Sequence, residues 1–297
     1  MKTRILTLTG IVLLAVSCGS DDPNLTVPPG NNENVIFDHY TVETTSHYAN
    51  DEQRRTFTTA LLQEQKFFSE TTEQFINGAG QGEFTQQHYF YQNGLLVKRA
   101  YENDVRDFFY DTSGRLIGLT WNMPDDMRYY RFAYVNAGQV YFEQLSAPYT
   151  DANAAVTSRI VLEFSAQDDI VKAGPDADLD GTVDWFHSFG YDDAHNLTTI
   201  QGFDGTVIHI DYSGVRDNFA KLAVNTYGRK NLLVYQAECY AHLVLGALRH
   251  STHLRMSDTQ EALVEVQQWP YYYRMTKTLA EPYPALGVTT VTTFFFG

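Results

Sequence analysis

The chain has only two cysteines in 297 residues, Cys18 and Cys239, which excludes a scaffold held by several disulfides. Cations are also scarce, with 21 Lys and Arg against 36 Asp and Glu and a net charge of −15 at pH 7. Nucleic acid is excluded as a partner, because neutralising phosphates needs clustered Lys and Arg. The longest apolar stretch, Ile5 to Val16, has 12 residues, too short for a membrane-spanning helix of about 20. No GxSxG, SxxK, Walker A, GxGxxG or HExxH motif occurs, so the short-motif routes to a serine hydrolase, a phosphate loop, a dinucleotide site or a zinc protease are closed. The nine histidines are scattered; the nearest pair, His250 and His253, sits at an expected helix end, where capping or solvent exposure explains it. What the chain has in excess is aromatic, 20 Tyr and 19 Phe, enough to bury a core.

Residues 1–17 read as an export signal. Lys2 and Arg4 precede the apolar stretch, which ends at Ala15-Val16-Ser17-Cys18. Small residues before a cysteine resemble the lipobox of bacterial lipoproteins, although Ala15 stands where Leu is usual. The resemblance implies cleavage before Cys18 and lipidation of its sulfur; the alternative is an ordinary signal peptide whose cysteine is incidental. Cys18-Gly-Ser-Asp-Asp also resembles the acidic tag that sends some lipoproteins to the outer face of the outer membrane. Cleavage would remove Lys2 and Arg4 and no acid, so the surface itself should not adhere to anionic lipid, and the membrane is reached through the lipid anchor. Residues 18–36 contain Pro23, Pro28, Pro29, Gly30 and a run of Asn and read as a flexible tether. Residues 37–297 then form one β domain. With Cys18 lipidated, Cys239 would have no partner within the chain and reads as a buried, inert thiol.

From about residue 54 one pattern recurs: aromatic extended residues, a polar turn, then an aliphatic run. Its copies centre on Tyr91-Gln-Asn93-Gly94-Leu95-Leu96, Tyr110-Asp111-Thr-Ser-Gly114-Arg115-Leu116, Tyr134-Val-Asn-Ala-Gly138-Gln-Val140, Phe164 to Ile170 and Tyr191-Asp192 to Asn196-Leu197, with a frayed first copy from Arg54 through Gln63 to Ile76. Asn93-Gly94 is a strong hairpin signal, because type I′ turns need φ > 0 at both central residues. The flanking Tyr, Phe, Val and Ile suit a pleated, half-buried surface. The expected fold is therefore mainly β, an antiparallel meander of repeated hairpins forming a curved open sheet or partial barrel. One helix is expected near 229–249, where Leu233, Ala237, Tyr240, Val244 and Leu248 recur at helical spacing. It should pack over the open end or concave face of the sheet. Strands resume at 262–266 and 271–275, and the closing run 288–296 should lie inside the sheet, since such an edge would invite aggregation.

Tyr110-Asp111-x-x-Gly114-Arg115-Leu116 resembles the core of the YD repeat of Rhs-type proteins. Short exported lipoproteins of unknown function carry similar degenerate repeats, and residues 54–215 resemble those. Long YD arrays wind into hollow shells; five or six hairpins are too few to close one.

One motif could carry chemistry. Asp176-Ala-Asp178-Leu-Asp180-Gly181-Thr182-Val-Asp184 matches the start of a calcium loop, with acids at positions 1, 3, 5 and 9, Gly at 6 and the Thr182 carbonyl at 7. Position 12 is His187 rather than Glu, and the loop falls between strands, so a structural Ca²⁺ on a DxDxDG loop is expected rather than an EF-hand. The plain alternative is a solvated acidic turn. Trp121, Trp185, Trp269 and Tyr271 to Tyr273 could stack on sugars or could pack as core. These features lead to a non-enzymatic surface or outer-membrane lipoprotein, a binding or scaffold module for a glycan or protein ligand. Two alternatives stay open: an envelope glycan hydrolase using carboxylates on the concave sheet face, and an accessory subunit of an outer-membrane uptake complex.

Overall fold

A computed structural model describes residues 36–48, 50–216, 218–237, 253–257, 262–268, 272–280 and 287–296. Cys18, the tether to residue 35, Cys239, the helical stripe beyond Ala237, His250, Trp269 and Tyr271 lie outside the described residues.

Fourteen strands run in chain order: β1 (Phe37–His47), β2 (Gln53–Gln63), β3 (Lys66–Ile76), β4 (Ala79–Gln92), β5 (Leu95–Tyr101), β6 (Asp104–Tyr110), β7 (Leu116–Met123), β8 (Asp126–Asn136), β9 (Gln139–Leu145), β10 (Val156–Phe164), β11 (Ile170–Pro175), β12 (His187–Tyr191), β13 (Leu197–Gln201) and β14 (Val207–His209). Then come β15 (Asp211–Arg216), helices α1 (Asn218–Tyr227) and α2 (Arg229–Gln236), β16 (His253–Ser257), β17 (Ala262–Gln268), β18 (Tyr272–Ala280) and β19 (Gly287–Phe296). Strands β15 and β16 pair with each other. The remaining 17 strands form one antiparallel sheet, open rather than closed into a barrel. From β1 to β14 each strand pairs with its chain neighbour, as a meander of short turns requires. At the other side β19 pairs with both β1 and β18, so the last strand lies inside the sheet, as expected.

The repeat is visible as structure. In each copy the aliphatic residue after the turn is buried: Leu96, Leu116, Val140, Ile170 and Leu197 are each at most 1% exposed. In two copies the tyrosine before the turn reaches back to the preceding strand. Tyr91 donates its hydroxyl to the Phe67 carbonyl at 2.5 Å, and Tyr110 to the Leu96 carbonyl at 2.8 Å. Four turns share one five-residue geometry, with the first N–H donating to the fifth carbonyl: Asp111–Arg115, Ser165–Asp169, Asp192–Asn196 and Gly202–Thr206. In three of them the first side chain accepts from the third and fifth N–H groups: Asp111 from Ser113 and Arg115, Ser165 from Gln167 and Asp169, Asp192 from Ala194 and Asn196. The fourth residue is left-handed in all four, at Gly114, Asp168, His195 and Gly205, which explains the Gly preference there.

The turns after β2, β4, β6, β8, β10 and β12 all lie at one end of the sheet, and the helices sit among them. Asn225 Nδ2 donates to the Gln65 carbonyl, Asn231 brackets the β6–β7 turn, and Arg229 meets Asp169. Gln65 and Asp169 belong to turns eight strands apart, about 38 Å in a flat sheet at 4.7–4.9 Å per strand. Asn225 and Arg229, on either side of the break between α1 and α2, are four residues apart in the chain, at most about 14 Å even if fully extended. The sheet must therefore curl around the helices. Leu222, Ala223, Leu232, Leu233, Val234 and Tyr235 join the sheet's inner residues in a single core. Helix α2 starts at Arg229, as the spacing predicts. Helix α1 was not expected, because Asn218 to Tyr227 carries only a short apolar pattern that becomes one-sided once the curled sheet supplies its partner surface.

Candidate functional site

The acidic loop leaves β11 and returns as β12, at the end of the sheet away from the helices. It folds back over the outer face, onto β9 and β10. Gly174 makes this possible: a Cβ there would lie 1.9 Å from the Trp185 carbonyl oxygen and 2.5 Å from Val183. Gly181 takes φ +92° at the bend, where a Cβ would come 3.1 Å from the Tyr141 hydroxyl.

Asp176 is fully buried. Its Oδ2 accepts from Arg159 Nη1 at 2.7 Å and from the Gly181 N–H at 3.0 Å, while Oδ1 has no hydrogen-bond partner. Burial opposes the charge on Asp176, but Arg159 and the Gly181 N–H outweigh it and hold the carboxyl below the usual carboxylate range. Arg159 also pairs with buried Glu143 at 2.9 Å, and Glu143 with Arg131 at 2.7 Å. Along the loop, Asp178 Oδ1 accepts from the Asp180 N–H and Asp180 Oδ1 from the Thr182 N–H. One carboxylate oxygen from each of Asp176, Asp178 and Asp180 lies within 4.8 Å of the others. Asp184 stands apart from that trio and closes the base of the loop, its Oδ2 accepting from the Ala177 N–H at 2.7 Å. Thr182 lines a groove of about 310 Å³ between the loop and the outer face, with Glu163, Lys172 and Phe186.

Beside the loop stands an aromatic ledge. Trp185 packs on Phe203 with ring centroids 4.8 Å apart, and His187 meets both edge-on at 5.7 and 6.1 Å. Phe203 sits on the β13–β14 turn, where Asp204 accepts from the Thr206 N–H and hydroxyl. These rings face water: Trp185 is 37% exposed, Phe186 43% and Phe203 66%. Trp121, by contrast, packs against the core, donating to Asp104 and lying under the Arg106 guanidinium at 3.8 Å. Phe203 went unread in the sequence and His187 was read only as position 12 of the loop, since only the fold brings two separate turns together.

The concave face carries carboxylates too. Glu70 accepts from the hydroxyls of Tyr40 and Tyr89, both at 2.7 Å, and from Gln87. Asp104 accepts from Trp121 and Arg106. Among the described residues the outer face carries the cross-strand ion pairs Glu43–Arg55, Lys98–Asp107, Glu143–Arg131 and Glu163–Lys172. Among the described residues no helix is long and apolar enough to cross a membrane.

No family model matches the chain, and no curated protein matches it. Among solved structures it is similar to a porin-like protein from Bacteroides uniformis, at a TM-score of 0.42 and 10% sequence identity, over 88% of this chain and 96% of that one.

Proposed function

We propose that this protein is a non-enzymatic binding module, held at the outer membrane by lipid on Cys18, that takes saccharide chains on its aromatic ledge. The observation that carries the reading is the exposed Trp185–Phe203 pair, two rings packed 4.8 Å apart and open to water. Leu61, Phe68 and Phe90 are exposed as well, but Trp185 and Phe203 come from two separate turns and pack as a pair of rings open to water. Such faces stack on the C–H faces of sugars, and the flanking Asp204, Thr206 and Lys172 suit sugar hydroxyls. The likeness to YD-repeat lipoproteins supports a scaffold role for the hairpins, whose regular turns present loops at both ends of the sheet. The cross-strand ion pairs on the outer face are compatible with anchoring by lipid rather than by the sheet itself.

The test uses the detergent-solubilised full chain on an array of surface polysaccharides and peptides. A retained saccharide, with Trp185→Ala and Phe203→Ala each weakening binding at least tenfold at unchanged melting temperature, supports the reading. Binding indifferent to both substitutions overturns it, as does turnover of a glycan that a single Asp or Glu substitution abolishes. For the anchor, Cys18→Ala should leave the membrane fraction, since stable attachment needs several acyl chains. Mutant protein that still pellets with membranes would show another means of attachment.

A further inference from the structure

We propose that the Asp176–Asp184 loop is a structural calcium site, with Asp176, Asp178 and Asp180 as its side-chain ligands. A carboxylate cluster alone would be an acidic turn; the independent observation is Asp176 Oδ1. That oxygen is buried without a hydrogen-bond partner, on a residue that is 0% exposed. An unsatisfied buried acceptor is costly and calls for an ion or a water. Arg159 does not satisfy it, because both of its contacts with the loop go elsewhere: Nη1 donates to Asp176 Oδ2 and to the Leu179 carbonyl. Its effect is to hold Oδ2 and leave Oδ1 as the oxygen available to a cation.

The other two ligands repeat this arrangement. Asp178 and Asp180 each use one oxygen for a backbone N–H two residues ahead, which leaves the second oxygen of each for the shared centre. The three ligand oxygens lie within 4.8 Å of one another, close to the separation of oxygens on one Ca²⁺ at metal–ligand distances of about 2.4 Å. All donors are oxygens, which selects hard cations. Among the described residues neither Asp178 nor Asp180 forms an ion pair with Lys or Arg, so their charges await a cation. Asp184 holds Ala177 and so shapes the loop without joining the trio. Bound calcium would fasten the loop over the outer face and steady Trp185, one residue past Asp184. The inference stands apart from saccharide binding, and either can fail without the other.

Calorimetric titration of the detergent-solubilised full chain with CaCl₂, after chelator treatment, tests it. The expected Kd is about 10⁻⁴–10⁻³ M, the range of extracellular calcium modules. The melting temperature should rise by about 5 °C or more at a hundredfold excess over Kd, and magnesium should bind at least tenfold more weakly. Asp176→Asn could also unsettle Arg159, so the decisive variants are at the exposed positions: Asp178→Asn and Asp180→Asn should each weaken calcium at least tenfold, with folding intact by circular dichroism. No heat and no shift in melting with 10 mM calcium would overturn the site. Equal affinity in the Asp178→Asn/Asp180→Asn double variant would overturn the ligand assignment, and magnesium matching calcium would overturn the choice of ion.

Discussion

At the scale of single residues, the β6–β7 turn shows what Tyr110 and Asp111 each contribute. Asp111 Oδ1 accepts from the N–H groups of Ser113 and Arg115 and from the Ser113 hydroxyl, while Oδ2 accepts from Arg115 Nε at 2.7 Å. Those bonds, led by Ser113, hold the carboxyl well below the usual carboxylate range. A depressed folded-state pKa means that the stabilisation is present above the unfolded value near 3.9 and is lost as pH falls through the folded one. Asp111→Ala should therefore cost about 1 kcal/mol at pH 7, the scale of a partly solvated charged bond. The gap from wild type should narrow in urea melts run below about pH 4. A gap constant from pH 7 to pH 2.5 would show that backbone conformation, and not the carboxylate, accounts for the loss. The Tyr110-Asp111 dipeptide was legible in the sequence, but its division of labour was not. Asp111 closes its own turn, whereas Tyr110 ties one hairpin to the strand before it.

At the scale of elements, the helices are bound to the sheet by polar contacts at their ends and apolar packing between. Asn231 Oδ1 accepts from the Leu116 N–H at 2.9 Å and its Nδ2 donates to the Gly114 carbonyl at 3.0 Å. Tyr235 packs edge-on against Phe108, with centroids 5.3 Å apart. Asn231→Ala would leave two backbone groups of the β6–β7 turn unpaired at a part-buried site, so a loss of about 1–3 kcal/mol is expected. Hydrogen exchange would show the Leu116 amide opening in step with that loss. An unprotected Leu116 amide in the wild type would remove the basis for the expectation. The start of α2 was readable from the helical spacing of apolar residues that set the expected helix at 229–249. Helix α1 was not, because its Thr226 and Asn225 act on the turn and first residues of β3, some 160 positions away.

At the scale of the whole molecule, β19 lies between β1 and β18 and joins the last described residues to the first within one open sheet. Phe295 stacks on His39 with centroids 4.1 Å apart. Deleting residues 287–297 would bare two long backbone edges at once, and open edges of that length pair with other chains. The truncated protein should elute as aggregate in size exclusion, where the full chain in the same detergent does not. A truncated protein that stays monomeric with an unchanged circular dichroism spectrum would show that β19 is dispensable.

The sequence by itself determined what repeats locally. Turn residues with φ > 0, alternating aromatic and aliphatic positions and the two-residue strand period specify hairpins whatever surrounds them. The meander, its turns and the inserted last strand were therefore legible, and so was the spacing of Asp176, Asp178 and Asp180. Only the tertiary structure decided how far the sheet curls, because curvature depends on helices that must reach turns eight strands apart. It also decided that Asp176 is buried on Arg159 while Asp184 ties down the loop, and that Trp185 meets Phe203 in the open. These outcomes depend on residues distant in the chain converging, and no local period encodes that convergence.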